Sequence, residues 1–147
     1  MKKIILMIVL VMAVSGCATP IFMDLKKREL HYTPSGDPNK GLIYVYRDDE
    51  FFGCARGIYV TGNDVLIGGL NSGTYFVYEA DPGKIIISVQ NWLGDDPSRT
   101  IDVKPGQKYY LKGSLKFGFW EPSPYIEIMY EQEGEAAIRS LTYATLK

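Results

Sequence analysis

The chain contains few of the residues on which histidine-dependent enzymes, metal proteins and nucleic-acid binders depend. It has one histidine, His31, and two cysteines, Cys17 and Cys54. Nucleophilic catalysis needs a nucleophile, a base and an orienting group within mutual reach, and His31 precedes the part of the sequence that has a strand pattern. Two cysteines and one histidine also exclude most metal-cluster and disulfide-scaffold classes. We therefore expect no metal and no cofactor.

The chain also has almost no excess of positive or negative charge. The 16 basic and 17 acidic residues give a net charge of −1. A nucleic-acid binder needs a concentrated basic surface that displaces phosphate counterions. The composition therefore argues against a nucleic-acid partner.

Long hydrophobic runs are absent except at the N-terminus. Lys2 and Lys3 precede an apolar run of eleven residues, Ile4–Val14. A transmembrane helix needs about 20 residues, whereas a shorter run after positive charges is typical of a secretory signal peptide. The sequence predicts that residues 1–16 are a cleaved signal peptide.

The residues after this run are Val14-Ser15-Gly16-Cys17, which resembles the lipobox of bacterial lipoproteins. The resemblance implies that Cys17 receives a diacylglyceryl thioether and that its new amino group is acylated, for example with palmitate. Several acyl chains together anchor a protein stably to a membrane. Ala18 stands where inner-membrane lipoproteins of enterobacteria commonly have aspartate, which favours the outer membrane. The alternative is an ordinary secretory peptide with a chance cysteine.

Residues 17–40 are predicted to be the lipidated N-terminus and a flexible tether. They have no sustained apolar period, and Thr33–Pro38 is a cluster of turn-forming residues. Residues 24–30 could form one or two helical turns. The basic residues Lys26–Arg28 within them are either a solvated stretch or a weak contact with anionic lipid.

Residues 41–147 are predicted to form an all-β domain. From Leu42 onward, short runs with a period of two alternate with turn signals every 8–12 residues. Seven or eight such strands indicate an antiparallel β-sandwich (immunoglobulin-like or transthyretin-like) or a small barrel. Acidic residues followed by apolar ones predict a short C-terminal helix over residues 131–144.

Three blocks of this domain resemble one bacterial family. They are Gly41–Arg47 (GLIYVYR), Gly73–Phe76 followed by Pro82-Gly83-Lys84, and Lys104–Leu111 (KPGQKYYL). Their order and spacing are similar to those of a domain-of-unknown-function family of envelope lipoproteins, over about residues 41–142. The resemblance implies a β-sandwich in an envelope setting, without a known reaction or catalytic residues. The aromatic segment 117–124 departs from the family pattern.

Aromatic residues outside the strand pattern are the candidate binding residues. Exposed aromatic patches mark binding surfaces, although rings of this kind also close the ends of small sandwiches. One loop contains Trp92, and the segment before the last strand contains four aromatics with two prolines within nine residues. The candidate binding surface comprises Trp92, Phe117, Phe119, Trp120 and Tyr125.

These observations favour a lipid-anchored, non-catalytic envelope protein that binds an envelope protein or a glycan, or supports envelope structure. The alternatives are a glycan- or lipid-binding protein and an envelope hydrolase with a carboxylate pair from Asp48, Asp49, Asp95 or Asp96. Cys54 is expected to be buried or half-buried. It is also expected to lack a partner in the chain once Cys17 is lipidated.

Overall fold

The computed structural model describes residues 25–28, 32–92, 94–117 and 122–146. They form a β-sandwich of two separate sheets with one helix. The prediction of a sandwich is confirmed, and the described strands do not close into the alternative barrel. The described residues form ten strands rather than seven or eight.

The six-stranded sheet has the order β1-β10-β5-β2-β8-β9, and the four-stranded sheet has the order β4-β3-β6-β7. The strands are β1 (Leu25–Arg28), β2 (Gly41–Arg47), β3 (Ile58–Gly62), β4 (Val65–Leu70), β5 (Thr74–Ala80), β6 (Gly83–Val89), β7 (Ser98–Val103), β8 (Lys108–Phe117), β9 (Pro122–Met129) and β10 (Thr142–Leu146). The helix α1 covers Glu131–Ile138.

The core lies between the two sheets, because alternate residues of each strand point inward. Its buried side chains are mostly β-branched or aliphatic, such as Ile43 and Val45 on β2 and Ile87 and Val89 on β6. The sheets pack closely at Gly68, where an added Cβ would lie 2.5 Å from the ring of Phe76. A glycine is therefore needed at this contact.

Two strand pairs are parallel, which corrects the prediction of a wholly antiparallel sandwich. β2 pairs with β8 in parallel, and β10 pairs with β5 in parallel. Parallel neighbours need a crossover between them. The segment between β2 and β8 contains all the strands of the four-stranded sheet, and it forms the crossover connection.

The predicted helix over 131–144 is shorter in the structure. α1 ends at Ile138, and residues 142–144 of the predicted helix belong to β10 instead. The segment Thr142–Leu146 (TYATL) contains two β-branched threonines and a tyrosine, which favour a strand. α1 packs on β8 through Gly134, where an added Cβ would lie 2.3 Å from Cγ of Tyr110.

Tyrosines form a second packed layer on the outer face of the six-stranded sheet. Tyr46, Tyr75 and Tyr110 are buried there with Leu141. The rings of Tyr44 and Tyr110 stack with centroids 5.0 Å apart. β2 therefore has two apolar faces, of which one packs on the other sheet and the other lies toward α1.

Part of the predicted tether is attached to the sheet. Residues 25–28 form β1 rather than a helical turn, and β1 pairs antiparallel with β10. Further along the chain, Glu79 on β5 accepts hydrogen bonds from the Ser35 amide at 2.7 Å, from the Ser35 hydroxyl at 2.6 Å and from the Tyr32 hydroxyl. Residues 32–35 are therefore fastened to β5 before the chain enters β2.

Candidate functional site

One end of the sandwich is built from the loops that follow β2, β4 and β6 and from the last residue of β8. We call it the loop end and define it by residues 48–57, 71–73, 90–92 and 94–97 together with Phe117. Hydrogen bonds join its parts: the Glu50 amide donates to the Ser72 hydroxyl at 2.8 Å, and the Gly73 amide donates to the Asp48 carbonyl at 3.2 Å. Loops on a rigid scaffold are common binding sites.

Arg47 fixes the longest of these loops from inside the protein. Its side chain is 0% exposed, although it is one of the largest in the chain. Nη1 donates to the Arg56 carbonyl at 2.6 Å, and Nη2 donates to the Gly53 carbonyl at 2.9 Å. Nε lies 3.9 Å from Oε2 of Glu50. Burial lowers the pKa of Arg47, and the Glu50 carboxylate partly opposes this effect.

Three phenylalanines are exposed at the loop end. Phe51, Phe52 and Phe117 are 78%, 66% and 73% exposed. Their rings meet edge to face, with centroids 5.5 Å apart between Phe51 and Phe52 and 5.4 Å apart between Phe52 and Phe117. We call this group the phenylalanine cluster. Of the three, Phe117 was predicted to be a binding residue, whereas Phe51 and Phe52 were not, although two adjacent phenylalanines after an acidic turn were a visible signal.

Trp92 lies beside an open cavity of about 440 Å³. The guanidinium carbon of Arg56 lies 4.2 Å from the ring centroid of Trp92, which is within cation–π range. Trp92 is 41% exposed. The other lining residues are Gly57, Tyr59, Gln90, Asn91 and Asp96.

Tyr125 on β9 is half-buried beneath two cationic side chains. Lys116 Nζ lies 3.3 Å from the ring centroid, and Arg99 Cζ lies 5.5 Å from it. Arg99 also donates to the Tyr125 hydroxyl at 3.3 Å. Phe119 and Trp120 lie outside the described residues, as does Cys17.

Three of the four carboxylates of the hydrolase alternative have separate local contacts. Lys112 Nζ lies 2.6 Å from Oδ2 of Asp48, and this hydrogen bond raises the pKa of Lys112. The Asp49 carboxylate accepts from the Ser72 hydroxyl at 3.2 Å, and that of Asp96 accepts from the Asn91 amide at 2.7 Å. The backbone carbonyl of Asp95 accepts from the Asn91 side chain at 3.3 Å. No cluster of potential metal ligands occurs among the described residues.

Cys54 is half-buried in the loop after β2, as expected. It is disulfide-bonded in the structure, so the expectation that it lacks a partner in the chain is not confirmed. The chain has one other cysteine, Cys17, which lies outside the described residues. A thioether lipid and a disulfide both require the cysteine sulfur, so Cys17 cannot have both.

The sequence of the chain places it in a family. The model of a family of proteins of unknown function (DUF2846) matches residues 37–123, which is more than half of the chain, so the chain belongs to this family. It is also 26% identical over 133 residues to an uncharacterized protein of Haemophilus influenzae, covering 88% of this chain and 77% of that protein. No solved structure matches the chain.

The family match covers the whole loop end and also Arg47. Within the described part of the chain, no helix has the length and apolarity required to cross a membrane.

Proposed function

We propose that this protein is a lipid-anchored, non-catalytic module of the bacterial cell envelope that binds another envelope protein through the phenylalanine cluster. In this proposal the anchor is Cys17, and the anchoring membrane is the outer membrane. The observation that carries the proposal is the exposure of Phe51, Phe52 and Phe117 in one continuous group.

The size of the cluster supports a binding role. An aromatic side chain presents roughly 150–250 Å², so three largely exposed rings leave on the order of 400 Å² of apolar surface in contact with water. Patches of about 300–600 Å² are the largest on typical monomers and are often functional. Aromatic residues are also enriched among the residues that dominate interface energies.

The loop is held rigidly, which lowers the cost of binding. The backbone around Phe51 and Phe52 is attached to Arg47 at Gly53 and to Ser72 at Glu50. Since the aromatic rings are presented on an ordered loop, little conformational entropy is lost when a partner covers them.

The cluster lies far from the residue at which the described chain enters the six-stranded sheet. Arg28, Tyr143, Tyr75, Tyr46 and Lys112 form one row across the six-stranded sheet. Leu25, the first residue of β1, lies on one side of this row. Phe117 lies on the other side, on β8, which is the fourth strand from β1 in the sheet. The two residues are therefore separated by roughly 30 Å.

The charges beside the cluster favour a protein over an anionic bilayer. Asp48, Asp49 and Glu50 immediately precede Phe51, and Asp49 is exposed. Bilayer surfaces with anionic lipids attract basic segments instead. An apolar surface bordered by carboxylates fits a protein partner with an aliphatic or aromatic surface and basic residues at its rim.

Site-specific photocrosslinking in living cells tests this proposal. A photoreactive phenylalanine analogue replaces Phe117 in one strain and Phe52 in another. In the control strain it replaces Lys104, which is exposed in the turn at the opposite end. We expect the same protein partner to crosslink from positions 117 and 52 but not from position 104.

A further variant tests whether crosslinking depends on the phenylalanine cluster. Phe51→Ser should reduce crosslinking from position 117 severalfold, while the free energy of unfolding changes by less than about 1 kcal/mol, because the ring is exposed. Crosslinks of equal strength from all three positions would overturn the proposal. So would their absence from positions 52 and 117 in cells with normal amounts of membrane-bound protein.

A further inference from the structure

The cavity beside Trp92 has the dimensions of a small-molecule site. Its volume is about 440 Å³, and ligand sites commonly measure about 300–1,000 Å³. It opens at the loop end, between the segment that precedes β3 and the loop that joins β6 to β7. The phenylalanine cluster is not part of its lining.

The lining combines two aromatic rings, Trp92 and Tyr59, with several planar polar groups. No aliphatic side chain occurs among the described lining residues. One guanidinium, from Arg56, and one carboxylate, from Asp96, balance in charge. A phosphate-rich ligand would need an excess of cations, so the lining fits an uncharged polar ligand better.

Trp92 offers a surface on which such a ligand can stack. Arg56 covers part of the indole at 4.2 Å, and the ring is still 41% exposed. The C–H groups of a pyranose ring form an apolar patch of similar width to an indole. The hydroxyl groups at the edge of the pyranose can then hydrogen-bond to amide, carboxylate and guanidinium side chains, because these planar groups donate or accept hydrogen bonds in their own planes.

The polar groups are positioned by the backbone. The Asn91 amide donates to Oδ1 of Asp96 at 2.7 Å, and the Gln90 amide donates to the Tyr59 carbonyl at 3.0 Å. The carbonyl of Arg56 is held by the buried Arg47 at 2.6 Å. A site whose side chains are carried on fixed backbone loses little entropy when its ligand binds.

We propose that this cavity is a saccharide-binding site in which a neutral pyranose stacks on Trp92 and hydrogen-bonds to Gln90, Asn91 and Asp96. This inference goes beyond the protein-binding function proposed for the phenylalanine cluster and does not depend on it. In an envelope protein, the natural source of such a ligand is an envelope glycan.

Fluorescence titration of the full chain tests the site. Trp120→Phe leaves Trp92 as the sole tryptophan, since the chain has two. The protein is purified in a polyoxyethylene detergent, because detergents with sugar headgroups would compete. The probes are soluble glycan strands of peptidoglycan, lipopolysaccharide core oligosaccharide and maltohexaose. We expect at least one of them to change the Trp92 emission saturably.

Calorimetry on variants then localises the binding. Gln90→Ala removes an exposed polar side chain and should weaken binding about three- to tenfold. Trp92→Ala should weaken it at least about tenfold, and Trp92→Phe less. Tyr130→Ala removes a ring that is 82% exposed outside the cavity and should leave the affinity unchanged.

The saccharide proposal is overturned if none of the three glycans changes the emission of folded protein, or if Gln90→Ala and Trp92→Ala bind as tightly as the parent chain. Crosslinking from position 117 gives an independent result, so either proposal can fail alone.

Discussion

The guanidinium of Arg47 donates a 2.6 Å hydrogen bond to the backbone carbonyl of Arg56, and the Arg56 guanidinium in turn lies 4.2 Å from the centre of Trp92. A buried arginine at the end of β2 thereby positions an arginine at the rim of the candidate saccharide site. The last residue of the YVYR block is thus a structural support for the loop end.

Replacing Arg47 by methionine should destabilise the protein by about 2–4 kcal/mol. The carbonyl oxygens of Gly53 and Arg56 would lose their charged donor, and unsatisfied buried polar groups are costly. Urea denaturation measures the loss, and limited proteolysis should cut faster within residues 48–57. Lys84→Met, at an exposed position on β6, serves as the control, and equal stability of the two variants would contradict the supporting role of Arg47.

Gly134→Ala should also destabilise the protein, although alanine is the better helix former by about 1 kcal/mol. The added methyl would lie 2.3–2.4 Å from Cβ, Cγ and Cδ1 of Tyr110, so α1 would have to move from β8. Overpacking of this kind costs about 1–3 kcal/mol, and we expect a net loss of about 1–2 kcal/mol by chemical denaturation. Gln132→Ala, on an exposed position of the same helix, should be neutral or slightly stabilising; a gain for Gly134→Ala would show that α1 does not pack this closely.

Glu79 should make stability depend on pH in the acidic range. Hydrogen bonds from the Ser35 hydroxyl and amide and from Tyr32 lower its pKa from 4.5 to about 2. Because the folded-state pKa is the lower one, the carboxylate stabilises the fold above about pH 4.5, and this contribution is lost as the pH falls toward 2.

Glu79→Gln should therefore unfold at a lower temperature than the parent at pH 7, with the difference shrinking between pH 4.5 and pH 2. Thermal unfolding across this range measures the effect. Glu133→Gln, on the exposed part of α1, controls for the change in net charge. A difference between parent and Glu79→Gln that does not vary with pH would refute the assignment.

Lipidation of Cys17 predicts that Cys17→Ser moves the protein from the membrane fraction to the soluble fraction and abolishes labelling with radioactive palmitate. Cys54→Ser should leave both unchanged, because Cys54 has no role in the anchor. Non-reducing peptide mapping by mass spectrometry shows whether the Cys17 sulfur carries a thioether-linked lipid or forms a disulfide. A peptide in which Cys17 is joined to Cys54 in the mature protein would refute the anchor.

The strands of the core were predictable because their side chains alternate. Ile85, Ile87 and Val89 all point toward the other sheet, and the turns between strands are marked by glycine, proline or aspartate. The parallel pairing of β2 with β8 could not be predicted, since alternation indicates a buried face without identifying the neighbouring strand.

The residues of the loop end were only partly predictable. Trp92 and Phe117 are aromatic residues outside the alternating pattern of the sequence. The role of Arg47, however, depends on its contacts with two carbonyl groups that lie six and nine residues further along the chain. A charged residue at the end of a strand usually faces solvent. Nothing in the local pattern indicated that this one is wholly enclosed.

The pairing of β1 with β10 bears on how the protein would respond to mechanical force. A pull on an N-terminal anchor enters the folded body at Leu25 and acts first on the four residue pairs between β1 and β10. If that strand detached, the load would pass to the contacts of Tyr32 and Ser35 with Glu79 before it reached β2. The two attachments in series would let the N-terminal segment lengthen under tension while the loop end kept its shape.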